Sequence, residues 1–389
     1  MIFEISKMTI ASRSNTLLPQ TKNALVRDLN RDLWYVMGLP FDATTEDETY
    51  NHLLTCITTR KKCFLTTPNL NFVVAAQRDA LFRKTVIDSD WVIADGMPIV
   101  WAAKALGIPL NERVAGSSVF DRLRSEYRQH DRPLRVVFFG GPDGVAAEAF
   151  KKVTQDESAM EVVGFYSPGF GTIEEMSPQH VIDQINESEP DIVLVALGAK
   201  RGQQWIDHNR QQLNAPVISH LGAVVNFVAG TVARAPEWMQ RTGLEWVWRI
   251  WEEHQLLKRY WSDGSKFLIS YIKDIRPTRR LLKDADRAEH PPYDFCSHFE
   301  KGKLVITVKG RIDVPDFKSR LEKLAPNMIL CRKIEFNFSE VSFFDTAVIA
   351  TLIMVQKHRH HAGPIEISGL SKDQKRLIGH TGAYSLLSN

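Results

Sequence analysis

Short apolar runs alternate with amphipathic stretches through most of the chain. CFLTTPN reads as a buried strand ending in a turn, residues 70–84 as a helix, and DWVIADG as a second strand ending in a loop. PIVWAAKALG has the look of a helix closed by Gly107. LRVVFFGG is a third strand, followed by a Gly/Asp turn and the helix VAAEAFKKV. MEVVGFYSPGFG, DIVLVALGAK and APVISHLGAVVNFVAG supply three further strand-like runs. Strands separated by helices predict an α/β domain around a parallel, Rossmann-like sheet. Ligands in such sheets bind at the C-terminal strand ends, where TTPN, ADG, GGPDG and LGAK fall.

The text changes near residue 234. Residues 234–283 carry Trp238, Trp246, Trp248, Trp251 and Trp261 among many arginines and lysines. A polar stretch with Pro291 and Pro292 reads as a linker. A small α/β unit follows: strands KLVITVKG and KIEFNFSEV, helix TAVIATLIMVQKHRHHAG, strand PIEISG and a final helical region. The expected division is an N-terminal arm over 1–45, a catalytic domain over 46–233, a membrane-associating helical appendage over 234–285, a linker over 286–300 and a small domain over 301–389.

Composition fits this picture. The 389 residues are 44% hydrophobic and 24% charged, enough for real cores, and exceed one ordinary domain. The net charge of +3 is too small to point to nucleic acid, and no nucleic-acid-binding motif accompanies the basic segment. Cys56, Cys63, Cys296 and Cys331 form no CxxC pair, so a reduced, cytoplasmic setting is expected. With no apolar run of about 18 residues and no secretory signal at the N-terminus, membrane contact is expected to be peripheral. Clustered tryptophans and basic side chains suit the lipid interface; a core helix with a solvated basic face is the alternative.

Several residues could carry chemistry. Asp95 follows the apolar WVIA and stands at the mouth of the sheet, where apolar surroundings would raise its pKa toward that of a general base. The plain alternative is a turn aspartate bonded to its own backbone. Thr67 and Asn69 end the preceding strand and could hold a sugar or the carboxylate. Gly140 and Gly141 open a turn whose N–H groups could cradle a diphosphate, although GGPDG lacks dinucleotide-fingerprint spacing. Arg113 could pair with phosphate. The KHRHH tract at His358, His360 and His361 reads as a solvated helix end, and no metal or other cofactor is expected.

Taken together, T-x-N, A-D-G, R-V-x-G, G-A-V-x-x-F-x-A-G and R-A-P-x-W…G-L-E-W-x-x-R, in that order over roughly residues 48–262, resemble the WecG/TagA/CpsF family of bacterial glycosyltransferases. The resemblance implies an inverting, metal-independent transfer of an N-acetylhexosamine, N-acetylmannosamine-like, from a UDP-sugar to a polyprenyl-diphosphate-linked acceptor in surface polysaccharide synthesis, at the inner face of the cell membrane. It assigns Asp95 as the base, Thr67 and Asn69 as its companions and Arg113 as the arginine of the R-V-x-G motif, with Arg234, Arg249 and, more loosely, Arg259 near the diphosphate. One departure stands out. Where the family has G-x-P-K-Q-E-x-W, this chain has Gly198-Ala199-Lys200-Arg201-Gly202-Gln203-Gln204-Trp205. Gly202 takes the glutamine position, Gln203 could substitute one residue later, and Lys200 and Arg201 could meet the UDP diphosphate. The departure keeps open a non-catalytic scaffold that senses a UDP-sugar. A nicotinamide-dependent oxidoreductase using the GGPDG turn ranks behind both.

The C-terminal unit resembles a STAS domain. KLVITVKGRID and FNFSEVSFFDTAVIATLI carry that resemblance, with Thr346 at a position often phosphorylated in that family. It implies a regulatory or partner-binding role; an N-cap threonine is the alternative at Thr346.

Overall fold

The computed structural model describes residues 21–127, 132–141, 160–169, 171–230, 235–236, 238–239, 245–252, 254, 256–359 and 362–387. The chain divides into two compact units: Phe41–Lys104 with Pro109–Ser270, and Met1–Pro40 with Ala105–Ile108 and Tyr271–Asn389. Two short strands, β1 (Leu33–Val36) and β2 (Leu39–Asp42), form a two-stranded sheet.

The first unit is α/β with a six-stranded parallel sheet. Its strands are β3 (Cys63–Thr66), β4 (Trp91–Val92), β5 (Leu134–Gly140), β6 (Met160–Tyr166), β7 (Ile192–Ala196) and β8 (Val217–His220). Their spatial order is β4-β3-β8-β7-β5-β6, and every neighbouring pair is parallel. Helices cover both faces, which is why β3 and β7 read as apolar runs rather than alternating ones. Two cores result, one around Leu53, Phe120, Phe138 and Leu194, the other around Phe139, Trp205, Ile206 and Val193.

At the N-terminal edge of the sheet the Asp191 carboxylate is buried and multiply held. Arg132 grips it with bonds of 2.6 and 2.7 Å, Arg60 reaches it at 3.1 Å, and the Arg135 N–H donates to it at 3.0 Å. Buried carboxylates are stable only with such compensation.

Two expectations for this unit are corrected. The helix expected over 70–84 is two helices, Leu70–Arg78 and Ala80–Ile87. Asp79 ends the first and caps the second, its side chain accepting from the N–H groups of Leu81 and Phe82. The run APVISHLGAVVNFVAG is strand only through β8; helix Gly222–Ala229 follows. Val224, Val225 and Val228 are buried at helical spacing. The helix VAAEAFKKV lies outside the described residues.

The second unit has a four-stranded sheet in the order β12-β11-β10-β9: β9 (Asp294–Glu300), β10 (Lys303–Arg311), β11 (Lys333–Phe343) and β12 (Ile365–Ser368). β10 pairs antiparallel with β9 and parallel with β11, which pairs parallel with β12. β9 falls in the stretch expected to be a linker. Helix Thr346–Lys357 is buried along nearly its whole length. β1 packs on it, so residues 21–40 are part of this unit's core, with Leu25, Leu29, Tyr35 and Val36 fully buried.

Beside that contact, Asp28 accepts from Lys357 at 2.9 Å, His358 at 2.8 Å and Arg31 at 3.0 Å. Burial alone would raise the pKa of Asp28, but these three partners outweigh it and hold the carboxyl well below its usual range. His358 is thus engaged rather than solvated; His360 and His361 lie outside the described residues.

The N-cap of helix Thr346–Lys357 is Asp345, which accepts from the N–H groups of Ala347 and Val348. Thr346 follows it and is buried, its hydroxyl without a partner among the described residues. The N-cap role offered as the alternative for Thr346 therefore belongs to Asp345.

Candidate active site

The C-terminal ends of β3 and β4 build one half of the site. Strand pairing sets Thr66 beside Val92, and two further bonds, Ile93 N–H to Thr66 O and Asp95 N–H to Pro68 O, both 3.0 Å, carry the two chains outward together. Asp95 thereby emerges next to Asn69. The Asn69 side chain is committed to capping helix Leu70–Arg78, accepting from the N–H groups of Asn71 and Phe72.

The R-V-x-G segment closes over these ends. Val114 N–H bonds to Ala94 O at 3.1 Å, which places Arg113 and Gly116 on either side of Asp95. Gly116 opens helix Gly116–Glu126, and its N–H donates to the Asp95 carboxylate. A Cβ on Gly116 would lie 2.5 Å from Leu221 Cδ2 and 2.8 Å from Thr67 Cγ2. Only glycine permits that approach, and with it the buried Thr67 is brought against the same helix start.

Charge converges on Asp95. The Arg113 guanidinium stands 3.8 Å from its carboxylate and makes a 2.7 Å bond to Glu245, while Arg249 contributes a second positive charge nearby. Glu245 and Arg249 lie four residues apart on helix Glu245–Glu252 and so share a face. The Nε of Arg249 is buried with no partner among the described residues, an unmet donor beside the carboxylate. A quarter of the Asp95 side chain stays open to solvent within enclosing protein, as at the floor of a recess. Burial pushes its pKa up to about 6; Arg113 opposes the shift and Glu245 adds to it. The group is a carboxylate at neutral pH and basic enough to accept a proton.

The ends of β5, β7 and β8 build the other half. Gly141 N–H bonds to Ala196 O at 2.8 Å, and both Gly140 and Gly141 have positive φ. Pro142, Asp143 and Gly144 lie outside the described residues. His220 ends β8, with its ring 6.1 Å from Phe72. A Cβ on Gly202 would overlap the His220 ring, lying 3.0 Å from Cγ and 3.2 Å from Nε2. The departure at Gly202 therefore has a physical reason: the imidazole occupies the space. Burial lowers the His220 pKa to about 4, so the ring is neutral at pH 7, and its Nε2 is buried without a partner among the described residues.

The remaining sequence candidates separate. Gln203 is fully buried, its amide paired with the Thr66 hydroxyl at 3.2 Å, so it cannot stand in for a surface glutamine at Gly202. Helical rotation between adjacent residues turns it into the core. Lys200 is exposed and pairs with Asp79 at 2.6 Å; Arg201 is exposed. Arg259 lies over the Tyr260 ring at 5.3 Å. Arg234 lies outside the described residues. Sequence reasoning missed Glu245 and His220. The first was visible in G-L-E-W-x-x-R as an acid four residues before an arginine. The second is visible only once Gly202 is seen against it.

The profile of the Glycosyl transferase WecG/TagA/CpsF family matches residues 34–281. The chain belongs to this glycosyltransferase family. Three N-acetylglucosaminyldiphosphoundecaprenol N-acetyl-beta-D-mannosaminyltransferases are similar to it. That of Bacillus spizizenii is 31% identical over 190 residues, covering 49% of this chain and 71% of the relative. That of Bacillus subtilis is 27% identical over 186 residues, 48% of this chain and 70% of the relative. That of Staphylococcus aureus is 23% identical over 281 residues, 72% of this chain and all of the relative. The WecG/TagA/CpsF match accounts for the ordered motifs around Asp95 and places both Glu245 and Arg249 inside the family region.

Proposed function

We propose that this chain transfers an N-acetylhexosamine, N-acetylmannosamine-like, from a UDP-sugar to a polyprenyl-diphosphate-linked acceptor in surface polysaccharide synthesis, with inversion. The observation that carries the reading is the Asp95 carboxylate, raised to about 6 and flanked by Arg113 and Arg249. The relatives' acceptor, a lipid-diphosphate N-acetylglucosamine, supplies the substrate class. Asp95 takes the proton of the acceptor hydroxyl as its oxygen bonds to the anomeric carbon. The bond from that carbon to the UDP oxygen breaks, and UDP leaves with the electron pair. Arg113 and Arg249 answer the diphosphate charge, while Asn69, capping helix Leu70–Arg78, and the buried Thr67 support the acceptor side from behind.

On the donor side the proposed contacts are the Gly140–Gly141 turn, Lys200, Arg201 and the His220 imidazole. His220 fills the volume opposite Gly202, so an imidazole stands where a longer side chain at 202 would reach. This weakens the alternative of a UDP-sugar-sensing scaffold that has lost turnover.

The chain is read as peripheral at the inner face of the membrane. Among the described residues no helix is long and apolar enough to cross a bilayer. Helices Glu245–Glu252 and Leu256–Ser270 expose Trp246, Trp251 and Trp261 among basic side chains. The C-terminal unit is read as a STAS-like domain that binds a protein partner. The succession β9, β10, helix Val314–Leu330, β11, helix Thr346–Lys357, β12, helix Lys372–His380 supports that reading.

The test is a screen of UDP-sugars against a polyprenyl-diphosphate N-acetylglucosamine acceptor, read by mass, with Asp95→Asn as control. The expected result is a product one N-acetylhexosamine heavier, absent with the variant. UDP binding without turnover by any donor would move the conclusion to the scaffold.

A further inference from the structure

Below the active site, at the opposite end of β3 from Thr66, three soft side chains converge. His52 and Cys56 lie four residues apart on helix Glu46–Thr59, and Cys63 is the first residue of β3. His52 Nε2 stands 3.7 Å from Cys56 Sγ and 3.8 Å from Cys63 Sγ, and all three atoms lie within 4.8 Å of one another. Both cysteines are buried and neither is in a disulfide.

A neutral Nε2 has one lone pair, so one of the two thiols donates to it and the other bonds to the neighbouring sulfur, which sets three potential metal-ligand atoms together. A tetrahedral zinc ion, with bonds of about 2.3 Å to sulfur and about 2.0–2.1 Å to nitrogen, sets its S and N ligands about 3.6 Å apart. The two observed S···N separations come close to that edge. The His52 ring is already oriented, stacked on Trp91 with centroids 4.0 Å apart and planes 14° apart. His52 is only partly buried, which leaves a way in for an ion and a fourth ligand.

We propose that His52 Nε2, Cys56 Sγ and Cys63 Sγ bind a soft divalent cation, zinc in the first instance, with a solvent molecule completing the tetrahedron. The ion ties helix Glu46–Thr59 to the start of β3. Two thiolates cancel its charge, so the site is neutral where the sulfurs are buried. Their protons are released on binding, and affinity rises with pH. The role is structural bracing, separate from transfer at Asp95.

The experiment uses the intact chain, purified under reductant and stripped of metal. Titration with cobalt(II) should give the intense thiolate-to-cobalt charge-transfer absorption of a sulfur-ligated tetrahedral ion, saturating near one equivalent. Zinc should displace it, raise the Tm and protect Cys56 and Cys63 from alkylation while the exposed Cys296 still reacts. Cys63→Ser and His52→Ala should each weaken binding at least tenfold. If either variant fails to fold, the cobalt spectrum and alkylation pattern of the unaltered chain decide. The proposal is overturned by reduced protein giving no cobalt–thiolate band, by a band that both substitutions leave unchanged, or by a Cys56–Cys63 disulfide persisting under reductant.

Discussion

His220 occupies the space that a side chain at Gly202 would need. The overlap involves a ring held by surrounding protein, not the free end of a flexible chain. Gly202→Ala should destabilise the protein by about 1–3 kcal/mol, the usual cost of overpacking. Adding His220→Ala should recover most of that loss. Urea denaturation of the two single variants and the double variant measures the coupling, and additive effects would contradict it.

Asp95→Asn should abolish transfer and leave UDP binding intact. Its effect on stability has a defined sign. The folded pKa of about 6 exceeds the usual 3.8, so the folded state binds the extra proton and ionisation costs stability as pH rises through this window. Above pH 6 the asparagine variant should therefore be more stable by about 1–3 kcal/mol, and near pH 3.5 the gain should vanish. Denaturation midpoints at the two pH values check this. The same pKa sets the acid limb of kcat/KM near pH 6.

Glu245 and Arg113 should move that limb in opposite directions. The negative charge of Glu245 raises the Asp95 pKa, so Glu245→Gln should shift the limb to lower pH. Arg113 lowers it, so Arg113→Gln should shift the limb upward and also weaken UDP binding. A pH–rate series on both variants reads the two signs independently of how much activity remains.

Trp251 and Trp261 are 77% and 79% exposed, wide apolar surfaces left open among the described residues. Replacing both by alanine should cut binding to anionic vesicles at low salt several-fold, with the fold unchanged by circular dichroism. Equal sedimentation of both proteins with vesicles would end the interfacial reading.

Asp28→Asn should cost the C-terminal unit about 1.5–3 kcal/mol, since the buried Lys357 and Arg31 would each lose a close charged partner. The depressed pKa of Asp28 works in the opposite sense to that of Asp95. Its stabilisation is present above the usual value of 3.8 and is lost as pH falls through the folded value. Thermal melts of the unaltered protein and the variant should converge on acidification.

Much of the catalytic unit was legible in the sequence because a parallel strand buried on both faces must be an apolar run and its functional end must be a turn. That logic singled out Asp95, Thr67 and Asn69 as strand-end candidates, and the structure sets Asp95 beside Asn69 at the ends of β3 and β4; Arg113 was singled out by its fit to phosphate. It failed where a local signal overrode periodicity. Asp79 caps a second helix inside what looked like one, and Gly222 starts a helix inside what looked like a strand. It failed again where partners lie far apart in the chain. The burial of residues 21–40 against helix Thr346–Lys357, the pairing of β9 with β10, and the Gly202–His220 fit depend on contacts that no window of sequence contains. Thr346 shows the limit of motif reading: that its hydroxyl is buried is not written in the residues around it.

The clamp on Asp191 has a consequence of its own. Arg60, Arg132 and the Arg135 backbone fasten the foot of β7 from three directions, at the end of the sheet remote from Asp95. Architecture and chemistry thus reside at opposite poles of the same strands. At the other pole Gly202, on helix Ala199–Asn209, leaves room for the His220 imidazole at the end of β8, while the foundation keeps its register. A scaffold so divided lets side chains around Asp95 change without renegotiating how the protein folds.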